Sequence, residues 1–573
     1  MSTHVGGRME TVAPIRVTDR SDQLRLAGLF VASLLLHIWL VSNSAMTARD
    51  SLGFARMGMN LAFPKLGKPE LAPGQPDDGI PRTLPEVLKQ AQQPPGYPVT
   101  VYATFAVLKR IDPPAEPQQV TPHQLLRASQ IAAATAMILA VFPMYWLGRM
   151  HVGQNRSFAA VLLFQFLPVA ARDTSDGLSE GLYFLGLSSA LALGVAGIRK
   201  QSIGRCLLCG FAAGCTYLVR PEGLAVTLGA TAVLMGLAAL RWRPPANMLA
   251  CAAAVLVGTS IAAAPYMVLI GGLTNKPSGK QMIDGTPPPG PMRPGFGGAA
   301  VGGALFAEID TDPNRGSGFD KALAAAGTMA NEYFHASHYA VGVLGILGVF
   351  LIRRKLRTHP EWLLLLATAG IQLAALARVA YTQGYASERH MLTSVFVAAY
   401  FAVAGLEPLF ARFARWPGFG RFYSSPAALW VWVAVMVGSC LPSLVKPLHQ
   451  NRIGFKEAGE YLATVLGPDD RLTDPYEWSQ FYAGRTMYLH PSSDYKWVEY
   501  AILRAGPEGE DKRLNQGLVN YGNEVAADHR AAVVFWWPAG PVEDAKIKVY
   551  RLDRPAAQGA IVGATAYRWY MGK

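Results

Sequence analysis

The chain has 573 residues, of which 51% are hydrophobic and only 16% charged, with a mean hydropathy of +0.20. That balance excludes an ordinary soluble protein of this size and points to a polytopic membrane protein, because each crossing of a roughly 30 Å hydrocarbon core takes about 20 residues of helix. The net charge of +13 comes largely from cations in short loops between apolar runs, which reads as a topology signal and argues against a nucleic-acid partner.

A polar stretch, 1–23, precedes the first apolar run, Leu26 to Val41, and is expected to be a cytoplasmic segment leading into an uncleaved span. Further apolar runs cover Leu125 to Leu147, Phe158 to Ala171, Leu178 to Ile198, Cys206 to Val219 and Leu224 to Leu240. Met248 to Leu273, Phe334 to Ile352, Trp362 to Ala380, Met391 to Phe410 and Ala427 to Val445 follow. The third and fifth runs are short, a length at which a buried or re-entrant segment competes. Loop charge decides for crossing. With about eleven transmembrane helices in a domain over 24–445, one face receives Arg149, Arg156, Arg199, Lys200, Arg205, Arg241, Arg243, Arg353, Arg354, Lys355, Arg357, Arg412, Arg415 and Arg421, with hardly any acid. This is the bias of a cytoplasmic face. Tyr97 to Leu108 is too short to span and is expected to be an interfacial helix.

The opposite, extracytoplasmic face receives the first loop, 43–124, a loop from Arg172 to Glu180, Arg220-Pro221-Glu222-Gly223 and Tyr381 to His390. It also receives a Gly- and Pro-rich flexible stretch, 271–333, of a length typical of either a lid or a linker. From 446 to 573 the composition turns soluble, as expected of a small extracytoplasmic α/β domain of about 125 residues. All five cysteines lie in apolar runs, so no disulfide framework is implied, and Cys206 and Cys209 read as packing residues despite their C-x-x-C spacing. Internal repeats and nucleotide-binding glycine patterns are absent from the sequence.

Acids and bases therefore converge on one rim. Asp50 lies a few residues past the first span, where a lone carboxylate can be a helix cap or a solvated turn, or a base within reach of both lipid and water. Arg220, Arg378, Arg389, His390 and Lys276 supply cations at the same level, fit either to snorkel and pair with acids or to grip a lipid phosphate. Asp173, Asp176 and Glu180 open a span, so they complement a helix N-terminus, and Asp176 and Glu180 are also candidates to meet an acceptor or sugar hydroxyl. Glu222 and Tyr97, beside the Pro94-Pro95-Gly96 turn, are candidates for the same contact. Glu332, His335 and His338 have a spacing that suits a divalent metal, though a wet helix end explains them more simply.

Arg49-Asp50 with Gly53-Phe54 and Ala55-Arg56, then Pro94-Pro95-Gly96-Tyr97-Pro98, Asp176 to Leu182, Arg220-Pro221-Glu222-Gly223-Leu224 and Arg389-His390-Met391-Leu392 form an ordered set. The set resembles bacterial membrane glycosyltransferases of the GT-C fold, within the protein-O-mannosyltransferase and aminoarabinose-transferase group, over roughly Leu26 to Phe410. The resemblance implies an inverting transferase using a polyprenyl-phosphate-linked sugar donor, with Asp50 as the catalytic base and Arg389 at the lipid phosphate. It leaves a divalent metal open as a cofactor, and a glycan, lipid or protein as the acceptor. Two positions depart from the pattern. Ser51 stands where the protein mannosyltransferases have Glu, which weakens a protein acceptor, and His390 stands where many relatives have Tyr. The reading from another class is a lipid or lipid-linked sugar flippase, which would place charges nearer the bilayer midplane and favour duplicated halves. A third reading is an inactive scaffold whose soluble tail binds partners.

Overall fold

A computed structural model describes residues 19–64, 83–111, 122–276, 318–383, 386–416, 420–423, 425–467, 470–490, 497–504, 516–554 and 563–568. Most of the expected 1–23 segment, positions 65–82 and 112–121 of the first loop and the centre of the 271–333 stretch lie outside the described residues.

Each of the apolar runs is helical. In chain order the helices are α1 (Arg20–Ser42), α2 (Arg49–Ala62), α3 (Leu84–Gln90), α4 (Gly96–Ile111), α5 (Pro122–Val152), α6 (Gln154–Phe166) and α7 (Pro168–Asp173). Then come α8 (Glu180–Lys200), α9 (Ile203–Val219), α10 (Leu224–Ala239), α11 (Pro245–Ile270), α12 (Gly318–Ala336) and α13 (Ala340–Leu351). The set closes with α14 (Trp362–Gln383), α15 (Leu392–Phe413) and α16 (Pro426–Val445). By length and composition 8 of the described helices suffice to cross a membrane, and α12 with α13 make a ninth if the pair is one span bent by 106°. The count differs from about eleven for local reasons. The third apolar run is broken at Leu167, where Pro168 starts a new helix, and α9 has only 17 residues. The chain is a multi-pass integral membrane protein.

Packing sorts the helices into one bundle, with α9 along α11, α13 along α15, and α5 along α8. The C-terminal ends of α1, α9 and α11 lie at the same end of the bundle as the N-terminal ends of α5, α8, α10 and α15. All the loops of interest open at that end.

Two helices run across this end. α2 is amphipathic and buries Leu52, Phe54, Ala55 and Met59, spacings that put one side of the helix against the bundle. α4 matches the expected interfacial helix and meets α2 closely at Gly58, where a Cβ would stand 2.6 Å from the Pro98 carbonyl oxygen. Phe54 meets Tyr97 edge-on, with ring centroids 4.9 Å apart.

The C-terminal region forms the expected α/β domain on the same end. It contains α17 (Ile453–Val465), β1 (Arg471–Thr473), α18 (Trp478–Tyr482), β2 (Arg485–His490), β3 (Trp497–Arg504), α19 (Gln516–Ala527), β4 (Ala532–Trp537), β5 (Ile547–Arg554) and β6 (Gly563–Arg568). A four-stranded sheet has the order β1-β3-β5-β4, parallel at β1–β3 and antiparallel elsewhere, and β2 pairs with β6. Phe455 on α17 packs on Tyr476 and Trp478 to close the core against the bundle.

Candidate active site

The first turn of α2 carries Asp50 to the rim, where the helix N-terminus favours a negative charge. A 3-10 turn, Glu388–Met391, leads into α15 and brings Arg389 to the same point. Arg389 Nη2 donates to Asp50 Oδ2 at 2.5 Å, across 339 positions of sequence. The two side chains face one another at the end of the bundle that α2 crosses.

This pair is the open end of a chain of alternating charges. Arg389 Nε lies 3.7 Å from Glu180 Oε1, and Arg220 Nη1 donates to that same Glu180 oxygen. Arg220 also meets Glu222 at 3.3 Å, and Lys276 Nζ meets Glu222 at 3.5 Å. The order Asp50, Arg389, Glu180, Arg220, Glu222, Lys276 draws on the first turn of α2, the start of α8, the α9–α10 junction, the segment after α11 and the turn into α15. Exposure grades along it, from 3% for the Glu180 side chain to 43% for Asp50. Glu180 is thus the fixed centre and Asp50 the accessible end, since a buried carboxylate is tolerable only with its charge matched.

The electrostatics follow. Burial among protein atoms works to raise the Asp50 carboxyl, and the Arg389 guanidinium beside it, with help from Arg49 and Lys276, more than offsets this and holds it below the ordinary carboxylate value. Asp173 goes the other way. Burial, reinforced by the Glu180 carboxylate, pushes it well above the ordinary value, and Arg389 only partly compensates.

The other expected residues are distributed differently. Tyr97 is fully buried and donates to the Ser129 carbonyl at 2.8 Å, so its hydroxyl is turned into the bundle and not to an acceptor edge. Asp176 is also engaged by protein: Oδ1 accepts the Ala48 N–H at 2.9 Å and Oδ2 meets His449 Nε2 at 2.6 Å. His390 has its Nδ1 3.0 Å from the Ser387 hydroxyl. Arg378 is exposed on α14 and enters none of the ion pairs among the described residues. Glu332, His335 and His338 do not close a metal site. His335 instead pairs with Glu388, and among the described residues no group of three or more His, Cys, Asp or Glu could hold a metal ion. The acids of the charge chain, Asp50, Glu180 and Glu222, are each paired with Arg or Lys.

Sequence reading missed His449, Glu477 and Trp478. They lie in the soluble tail, and nothing local marks residues at a domain junction as neighbours of the first loop.

No protein-family model matches the sequence, and no curated protein matches it. Solved structures do. The fold is similar to that of the oligosaccharyltransferase AglB from Archaeoglobus fulgidus in complex with an inhibitory peptide and a dolichol-phosphate, at 13% identity and a TM-score of 0.52, over 81% of this chain and 64% of that one. The chain has the GT-C fold. Another structure of the archaeal enzyme, in complex with Zn and sulfate, aligns at 12% identity and a TM-score of 0.51, over 80% of this chain and 61% of that one. This GT-C chain therefore spans less than two thirds of the length of the oligosaccharyltransferase. ArnT from Cupriavidus metallidurans bound to undecaprenyl phosphate aligns over 92% of this chain and 97% of that one, at 14% identity and a TM-score of 0.49.

Proposed function

We propose that this GT-C chain is an inverting glycosyltransferase that moves a sugar from a polyprenyl-phosphate carrier to an acceptor at the extracytoplasmic face of the membrane. The observation that carries the reading is the Asp50–Arg389 pair at the open end of the charge chain. A dolichol-phosphate in AglB, which shares the fold, supports a lipid phosphate as the carrier.

In this reading Asp50 accepts the proton of the acceptor hydroxyl as its oxygen attacks the anomeric carbon. The bond from that carbon to the phosphate oxygen breaks on the opposite side, so configuration inverts. No general acid is required, because the departing polyprenyl phosphate is already a stable anion. Arg389 is the first cation it meets, with Arg220 and Lys276 behind, and a guanidinium fork suits phosphate oxygens. Before the donor arrives, Arg389 satisfies Asp50. When phosphate takes the guanidinium, the carboxylate loses its strongest partner and becomes a better base, which couples donor binding to acceptor activation. Asp173, whose carboxyl burial and Glu180 push up, and Glu222 lie at the same rim as hydrogen-bonding groups for the sugar. The acceptor class is a glycan, a lipid or a protein.

The test is a proteoliposome assay of the purified chain with a panel of radiolabelled undecaprenyl-phosphate sugars and a cell-envelope extract as acceptor. Sugar should leave its lipid with the wild type, and Asp50→Asn should lose at least about a hundredfold in rate while staying folded and inserted. Full turnover by Asp50→Asn removes the residue from the role of base. Intact lipid-linked sugar changing leaflet, with no transfer, would move the chain to the flippase reading.

A further inference from the structure

Among the bonds that tie the C-terminal domain to the bundle is a set that ends on α2, on the residues just before it, or on Asp176, which itself holds the start of α2. Ala48 stands at the N-cap of α2 and has no side chain to cap with, so the helix start is satisfied from elsewhere. Asp176, on the loop before α8, supplies the missing acceptor to the Ala48 N–H at 2.9 Å, and its own backbone carbonyl accepts the Ser51 hydroxyl at 2.7 Å. Ser51 is fully buried. Asp50 is thus flanked by two residues tied to Asp176.

Asp176 is in turn held from the tail. His449, at the junction between α16 and α17, meets the second Asp176 oxygen at 2.6 Å. One residue earlier, the Leu448 carbonyl accepts the Ala45 N–H at 3.1 Å. Trp478 donates its indole N–H to the Thr47 carbonyl at 3.2 Å, and Glu477 pairs with Arg56 at 3.2 Å, both side chains of that pair being largely buried. Arg452 lies over the Trp478 ring, 5.0 Å from its centroid, and fixes the indole from behind. Every contact involves a residue outside the charge chain, so the tail grips the backbone that carries Asp50 without touching the carboxylate.

We propose that the C-terminal domain is a positioning device for Asp50, in which His449, acting through Asp176, and Trp478, acting through Thr47, fix the first turn of α2 opposite Arg389. The proposal rests on the reading of Asp50 as base. His449 and Trp478 are positioning residues, since neither reaches the rim where the donor and acceptor meet. A catalytic group displaced by about 1 Å loses a large factor in rate, while affinity for a lipid held mainly by Arg389, Arg220 and Lys276 is affected far less.

The experiment compares full-length wild type with His449→Ala, His449→Gln and Trp478→Phe, the last removing the indole N–H together with part of the ring. Hydrogen exchange of the amides of 48–55 needs no turnover and reports the hold directly. It should accelerate about tenfold in His449→Ala and Trp478→Phe, with the amides of α8 and α15 unchanged and His449→Gln close to wild type. With the undecaprenyl-phosphate sugar that the wild type turns over, kcat should fall about tenfold or more in the first two variants, with KM for that lipid within about twofold, and Gln should rescue. Unchanged exchange at 48–55 overturns the proposal, and so does accelerated exchange with unchanged kcat. A wild type that turns over no donor sinks the reading of Asp50 and this proposal with it. Turnover by the wild type with variants that behave like it sinks the positioning role alone.

Discussion

In the proposed reaction Arg389 has two parts, lowering the Asp50 carboxyl and facing the donor. With the guanidinium present the carboxyl is held below the ordinary carboxylate value, against a burial effect that acts to raise it. In Arg389→Gln the strongest opposition to burial is removed, and only Arg49 and Lys276 still act to lower the carboxyl. The carboxyl then moves up, and the acid limb of the kcat/KM profile against pH should shift to higher pH, together with a rise in KM for the lipid donor. An acid limb that stays in place would mean that this pair does not govern the base. Asp173 gives the contrasting case. Its carboxyl is pushed towards the proton-bearing form by burial and by Glu180. Asp173→Asn, which copies a neutral acid in shape, should keep turnover within about threefold of wild type, where Asp50→Asn does not. At this scale the sequence was informative for charges beside spans, because an ionisable residue at a helix end in an apolar chain has few other reasons to be there. Asp50, Arg389, Glu180, Arg220, Glu222 and Lys276 all came from that argument. It failed for Tyr97 and Asp176, whose polar atoms are spent inside the protein, since a residue type does not reveal which way its side chain turns.

The elements at the rim depend on close backbone approach. Gly58 is the point at which α2 lies against α4, and a Cβ there would stand 2.6 Å from the Pro98 carbonyl oxygen, an atom that cannot move without its helix. Gly58→Ala should therefore destabilise the chain by about 1–3 kcal/mol, read as a lower thermal midpoint in detergent, and should slow transfer through the displacement of α2. A midpoint and a rate equal to wild type would show that the two helices part freely. α4 was legible in advance, since Tyr97 to Leu108 is too short to span and ends in Lys109 and Arg110. The breaks were not. A hydropathy run carries no record of direction, so the division of the third span at Pro168 and the 106° bend between α12 and α13 were hidden in continuous apolar sequence. The clamp from the tail was hidden for a different reason, since it joins residues more than 400 positions apart through a backbone carbonyl.

For the whole molecule the sequence predicted a division of charge, basic loops at one end and mixed loops at the other, and the bundle separates the two sets as expected. The basic end is not free of acid, however. Asp22 and Glu361 are buried against Arg149 and Arg199, and Glu407 serves Arg156 and Lys355. These pairs neutralise part of the end that the positive-inside rule assigns to the cytoplasm, while Arg353, Arg354, Arg357, Arg412 and Arg415 leave it cationic. The orientation then follows as a prediction. In a chain with the exposed Cys215 replaced by Ser, a single cysteine is introduced in place of His529 in the tail domain, or in place of Arg415 at the basic end. A membrane-impermeant maleimide added to intact cells, with the outer envelope opened, should label the first directly and the second only after the inner membrane is permeabilised. The opposite pattern would turn the rim with Asp50 towards the cytoplasm. A polyprenyl carrier would then present its sugar to cytosolic acceptors, and the charge bias of the loops would have to be explained by something other than insertion.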